Sequence, residues 1–200
     1  MPSSPKIPKE LILACALTML IREGYAALNI KALAKEIGCS TQPISWHFGN
    51  MGGFWNQLTK YALEYANKKM LSPTSNGMES FSSIGISYIS LAFDEPNLFK
   101  YLYMSGESGY QAGGFDILTN AGENAMMVDQ IADHLKIPRE NVSSFFQNTM
   151  IYTHGLACFI ASGVITSSRE EIIKMVNQTA LTFLAKAGAK TGKESNYESK

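Results

Sequence analysis

"NIKALAKEIGCSTQPISWHFGN", residues 29–50, decides the fold of the N-terminal part of this chain. Asn29 is a good helix cap, and Ile30, Leu33, Ala34 and Ile37 then fall on one face of a short helix that Gly38 ends. Ser40 or Thr41 is placed to cap a second helix running to about Phe48. Pro43 sits in its first turn, where a missing N–H costs little because first-turn N–H groups have no intrahelical acceptor. Ile44 and Phe48, four apart, point inward, and Thr41, Gln42, Ser45, Trp46 and His47 form the outer side. Two short helices joined by a glycine turn make a helix-turn-helix arrangement, in which the first helix braces and the second offers its side chains to the major groove. Gln42 has the amide geometry to pair with adenine, and the Thr41 methyl suits thymine. Asn29 and Lys31, at the start of the bracing helix, are placed for phosphate.

Working outward, helical periodicity dominates and no alternating run demands a strand, so the expected fold is all-α with about nine helices. A first helix runs from Pro8 to Glu23 and stops at Gly24, expected in the left-handed conformation. Phe54 to Met70 reads as a fourth helix, loosened at its start by Gly52 and Gly53. "SPTSNG", residues 72–77, is the best linker candidate. Helical stretches follow at about 78–93, 96–106, 113–135, 139–163 and 169–187, with a glycine-rich loop at 106–114. The expected domains are a helix-turn-helix head at 1–50, a linking helix at 51–71, a larger helical bundle at 72–187 and a disordered tail at 188–200.

Composition narrows the function. The chain has 200 residues, 46% of them apolar, and a formal net charge of zero. Residues 1–70 hold eight Lys/Arg against four acids, while the remainder holds nine against thirteen, so a basic head precedes an acidic body. The longest apolar stretch, Leu11 to Ile21, is too short for a membrane span, and no secretory signal is evident, so no membrane partner is expected and the location reads as cytoplasmic. Cys15, Cys39 and Cys158 are far apart, suggesting buried thiols and neither a disulfide framework nor a metal site. No nucleotide, nucleophile-elbow or zinc-protease motif occurs; neither an enzyme nor a cofactor is expected.

The pattern Ala16, Leu20, Gly24, then Ile30, Leu33, Ala34, Gly38, then "QPISWHF" resembles the DNA-binding head of the TetR family of transcriptional repressors. The resemblance covers about residues 8–60; "EPNLFKYLYMSG" (95–106) and "YTHGLACFIASG" (152–163) are local echoes further on. It implies a homodimer joined through the last two long helices, here 139–163 and 169–187, whose apolar stripes and small residues Gly155, Ala157, Ala161 and Gly163 permit close approach. It also implies contacts to operator DNA by Asn29, Lys31, Thr41, Gln42, Ser45, Trp46 and His47, and a body that takes a small-molecule effector. The family usually has a tyrosine at the position of Ser45 and a lysine at that of Met51, both phosphate contacts. Their replacement thins the phosphate grip and shifts reliance to Lys6, Lys9 and Lys31. In the body, aromatic and methionine side chains suit an apolar or aromatic ligand, with Tyr88, Tyr101, Tyr103, Met126, Met150, Tyr152 and His154 as candidates. The expected function is a ligand-released repressor; the alternative is a small-molecule binding or interaction protein of the same fold with weakened or lost DNA binding.

Overall fold

The computed structural model describes residues 7–70, 76–106, 117–120 and 122–189. The described residues contain ten α-helices, one short 3-10 turn and no strand: α1 Lys9–Glu23, the turn Tyr25–Ala27, α2 Ile30–Ile37, α3 Gln42–Phe48, α4 Met51–Met70, α5 Gly77–Asp94, α6 Pro96–Tyr103, α7 Ile117–Asn120, α8 Gly122–Leu135, α9 Arg139–Ala161 and α10 Arg169–Lys186. The fold is all-α, as the periodicity predicts. Ten helices replace the expected nine because the predicted 113–135 stretch contains two, α7 and α8. The predicted loop at 106–114 and tail at 188–200 lie largely outside the described residues, as does most of the 72–77 linker. Asn76 belongs to the next helix, its side chain accepting from the N–H groups of Met78 and Glu79 at the start of α5.

Two units emerge. One comprises Met1–Lys69 with Asp94–Tyr110, the other Met70–Phe93 with Gln111–Lys200. The expectation of one continuous body from 72 to 187 therefore changes in one respect: α6 belongs with the head.

The first unit is built on three patterns. Along α1, Ile12, Leu13, Ala16, Leu17, Met19 and Leu20 are buried. Along α4, every fourth residue, Phe54, Leu58, Ala62 and Ala66, is at most 1% exposed. Along α6, Leu98, Phe99, Tyr101 and Leu102 are buried. Each such Leu or Phe contributes roughly 1.5–3 kcal/mol of transfer free energy against its exposed state. The second unit centres on Met127, Val128, Ile131, Val142, Phe145 and Phe146, with Phe81 of α5 packed against them. The Phe81 and Phe146 rings are 4.2 Å apart at their centroids. Arg139 ties the short α7 into this unit, donating to Asp129, to Asn120 and to the Thr119 carbonyl. A capping box opens α10: Ser168 accepts from the Glu171 N–H and the Glu171 carboxylate accepts from the Ser168 N–H.

Candidate nucleic-acid interface

Asn29 starts α2 as its sequence predicts, its side-chain oxygen accepting from the Ala32 N–H at 2.9 Å. Gly38 ends the helix at φ 77°, ψ 34°, a left-handed conformation that costs glycine nothing. Gly24 behaves differently from expectation. Its φ of 85° is positive, but ψ is 173°, so the chain leaves α1 extended and continues directly into the turn at Tyr25.

α3 divides sharply. Ile44 is fully buried and Phe48 is 7% exposed, while Trp46 leaves 59% of its surface in solvent. Thr41, Gln42, Ser45 and Trp46 share that open side. The predicted cap is absent: Thr41 stands at the cap position in a right-handed helical conformation and its side chain caps nothing. With those angles the hydroxyl does not turn back over the first-turn N–H groups, which Ser40 or Thr41 is expected to satisfy. Pro43 occupies the first turn without disturbing the helix.

His47 is placed differently from its neighbours. Its Nε2 lies 2.9 Å from the carbonyl oxygen of Ile7, a bond in which the ring must be the donor because a carbonyl only accepts. Lys31 is exposed at the start of α2. Arg22 of α1 donates to both Glu23 and Glu36, bracing α2 from behind, and these carboxylates hold its guanidinium above its usual pKa.

The step from α3 to α4 shows what the paired glycines are for. α4 begins at Met51, three residues earlier than predicted, with Asn50 as its cap: the Asn50 side chain accepts from the Gly53 N–H at 2.9 Å. A Cβ on Gly53 would lie 2.3 Å from the Phe48 carbonyl oxygen. That carbonyl accepts from the Asn50 N–H at 2.8 Å, so it is not free to move aside. Gly53 is required by close backbone approach, which sequence reading interpreted only as lost helix propensity.

α6 is fastened to the head by polar groups. Asn97 donates to the carbonyls of Ile21 and Arg22 at the end of α1. The hydroxyls of Tyr101 and Thr59 are 2.5 Å apart, and the Tyr101 ring stacks on Tyr25 at 5.5 Å. Glu95 is 8% exposed; one of its oxygens accepts from both Tyr65 and Lys69 of α4. Burial works against the Lys69 charge, yet Glu95 and Tyr65 more than offset it and raise the ammonium pKa. Tyr101, expected in a ligand cavity of the body, is thus 2% exposed inside the head unit, and Tyr103 packs on Phe99 of the same helix.

In the second unit the structure brings two predicted ligand residues together. The Tyr88 hydroxyl is 2.8 Å from His154 Nδ1, and His154 Nε2 is 3.4 Å from the Cys158 sulfur. Part of the His154 residue is open to solvent, but enough protein crowds its ring to lower its pKa by desolvation. Burial likewise pushes the Cys158 thiol up. Cys158, one helical turn from His154, was legible as a partner from that spacing. Of the other candidates, Met150 packs on the core, Tyr152 is half-buried and Met126 is 59% exposed.

Residues 12–57, the segment that carries this helix pair, match the family of bacterial regulatory proteins described as tetR family. The head is similar to the N-terminal domain of the TetR family. No curated protein matches the chain in sequence. Solved structures extend the likeness to the whole fold. A TetR-like transcriptional regulator from Rhodococcus sp. RHA1 superposes with a TM-score of 0.59 at 12% identity, covering 90% of this chain and 99% of that one. A TetR variant from Acinetobacter baumannii AYE in complex with minocycline gives 0.57 at 13% identity, covering 90% and 96%. BioQ with its natural double-stranded DNA operator gives 0.54 at 16% identity, covering 90% and 99%. At these identities it is the fold that is shared. The matched segment spans most of α1, all of α2 and α3 and the start of α4, so the helix-turn-helix pair lies wholly within it.

Proposed function

We propose that this protein is a transcriptional repressor that binds operator DNA as a homodimer and is released by a small apolar or aromatic effector. The observation that carries the reading is the division of α3, with Ile44 and Phe48 anchoring the helix and Thr41, Gln42, Ser45 and Trp46 presented outward. Four outward side chains of this kind are what a helix entering the major groove requires. Operator binding by BioQ and minocycline binding by the Acinetobacter protein support the two kinds of partner.

Dimer formation is supported by α9 and α10. Ile151 and Phe159 are 47% and 51% exposed with Gly155 between them, and Met175 and Leu181 of α10 are 40% and 57% exposed. Apolar groups in such a row gain by burial against a second copy, and a twofold dimer matches two half-sites about one DNA turn apart. The effector would be anchored by the Tyr88–His154 pair, where burial disfavours the imidazolium form of His154. Release follows from connectivity. In sequence α6 follows α5 directly, and its side chains hold α1 and α4. A displacement of α5 on effector binding would pull on α6 through the chain.

The test is fluorescence anisotropy of the full chain on DNA from upstream of its own gene, at about 50 and 200 mM salt. Sequence-selective binding that weakens about a thousandfold or more across that range supports a protein that neutralises six or more phosphates. Absence of selective binding, beside a competent control, supports instead an effector-binding protein with lost DNA binding.

A further inference from the structure

The reader helix brings no cation of its own. From Thr41 to Gly53 the sequence contains neither lysine nor arginine. A cation reaches it from elsewhere in the chain, because Ile7 to Lys9 is tied to the C-terminal end of α3 at two points. His47 donates from Nε2 to the Ile7 carbonyl at 2.9 Å, and the Lys9 ammonium stands over the Phe48 ring, 6.0 Å from its centroid. Phe48 is 7% exposed and its neighbour ring Phe54 is 5.3 Å away edge-on, so the surface under the Lys9 stem is fixed.

The other head cations are disposed differently. Arg22 is held by Glu23 and Glu36, and Lys69 by Glu95. Lys31 and Lys35 lie on α2, Lys60 and Lys68 on α4 and Lys100 on α6. Lys9 makes no ion pair among the described residues and lies in the first turn of α1, where a positive charge opposes the helix dipole. It therefore does nothing for α1 electrostatically. What its position achieves is a charge beside the reader helix, on a half-buried stem whose ammonium can extend outward.

We infer that Lys9 binds DNA phosphate in this head, and that His47 is the positioning residue that holds it at the end of α3 by fixing the Ile7 carbonyl. The inference rests on the DNA-binding reading above. It also reassigns His47, whose Nε2 is committed to the chain and not to DNA.

The experiment is the salt dependence of operator binding by the full-length protein, read by anisotropy for five proteins: wild type, Lys9→Gln, His47→Ala, His47→Gln and the double variant Lys9→Gln/His47→Ala. Lys31→Gln serves as a control, and circular dichroism confirms folding of each. Lys9→Gln leaves one phosphate per half-site without its cation, so in a dimer the log–log slope flattens by roughly 0.9 for each of the two phosphates. His47→Ala flattens it in the same direction, His47→Gln restores it because an amide N–H can still donate to the Ile7 carbonyl, and the double variant goes no further than Lys9→Gln alone. A slope unchanged in Lys9→Gln but flattened in Lys31→Gln overturns the inference and leaves the DNA-binding reading standing. Additive losses from Lys9→Gln and His47→Ala overturn the positioning role. No selective binding by the wild type overturns both.

Discussion

Replacing Gly53 by alanine should destabilise the head, whereas the same change at Gly52, one residue earlier, should not. The added Cβ at 53 would lie 2.3 Å from the Phe48 carbonyl oxygen, and that oxygen is pinned by the Asn50 N–H. Relief requires moving α3 against α4 or breaking the bonds at Asn50. Overpacking of this kind costs about 1–3 kcal/mol, and disturbing the Asn50 cap adds about 1 kcal/mol. Against this stands a helix-propensity gain of at most about 1 kcal/mol. The net expectation is a loss of about 2 kcal/mol. At Gly52 the added Cβ meets the side-chain oxygen of Asn50 at 3.2 Å, the oxygen that caps Gly53, so a cap loss of up to about 1 kcal/mol and a propensity gain of similar size leave stability near wild type. The two tryptophans of the chain, Trp46 and Trp55, both lie in the head, so their fluorescence reports its urea unfolding selectively. With a slope of about 1–2 kcal/mol per molar for a unit of this size, Gly53→Ala should lower the midpoint by roughly 1–2 M at unchanged slope. A midpoint equal to or above the wild type would refute the close-approach argument and return Gly53 to the role of a weak helix former.

Further outcomes follow from the same geometry. Trp46→Ala should weaken operator binding at least tenfold while leaving urea unfolding within about 0.5 kcal/mol of wild type, since an exposed side chain contributes little to stability; anisotropy and circular dichroism check the two halves. Met51→Lys should raise operator affinity and steepen its salt dependence by roughly 0.9 per phosphate newly neutralised, measured as the log–log slope. Asn97→Ala removes the side-chain bonds to the Ile21 and Arg22 carbonyls and should reduce effector-driven release more than operator affinity itself, a difference visible in anisotropy with and without effector. For His154 the folded pKa is lowered by desolvation, so the unfolded chain takes up the proton first as pH falls. Stability should therefore be full above about pH 6.5, the unfolded histidine value, and decline as pH drops below it toward the folded pKa. His154→Gln should flatten that part of the urea midpoint against pH.

The sequence of this protein, taken alone, determined the elements whose causes are local. Asn29 followed by an apolar face and Gly38 specifies α2 because a cap, a periodicity and a left-handed stop lie within ten residues of one another. Ile44 and Phe48 mark the inner side of α3 by spacing, which leaves Thr41, Gln42, Ser45 and Trp46 outside. Other predictions fell short where the deciding partner is distant. His47 looks like one more outward group until Ile7 is brought to it from forty residues away. Tyr101 reads as part of a body cavity because its sequence neighbours are there, but Asn97, Glu95 and Tyr101 itself find their hydrogen-bond partners on α1 and α4. Gly53 looks like a weak helix former until the Phe48 carbonyl occupies the space its side chain would need. Periodicity and capping are properties of a single segment, so they are written in the chain. Polar pairing and backbone approach depend on which segments meet, and that is decided only when the hydrophobic faces have packed.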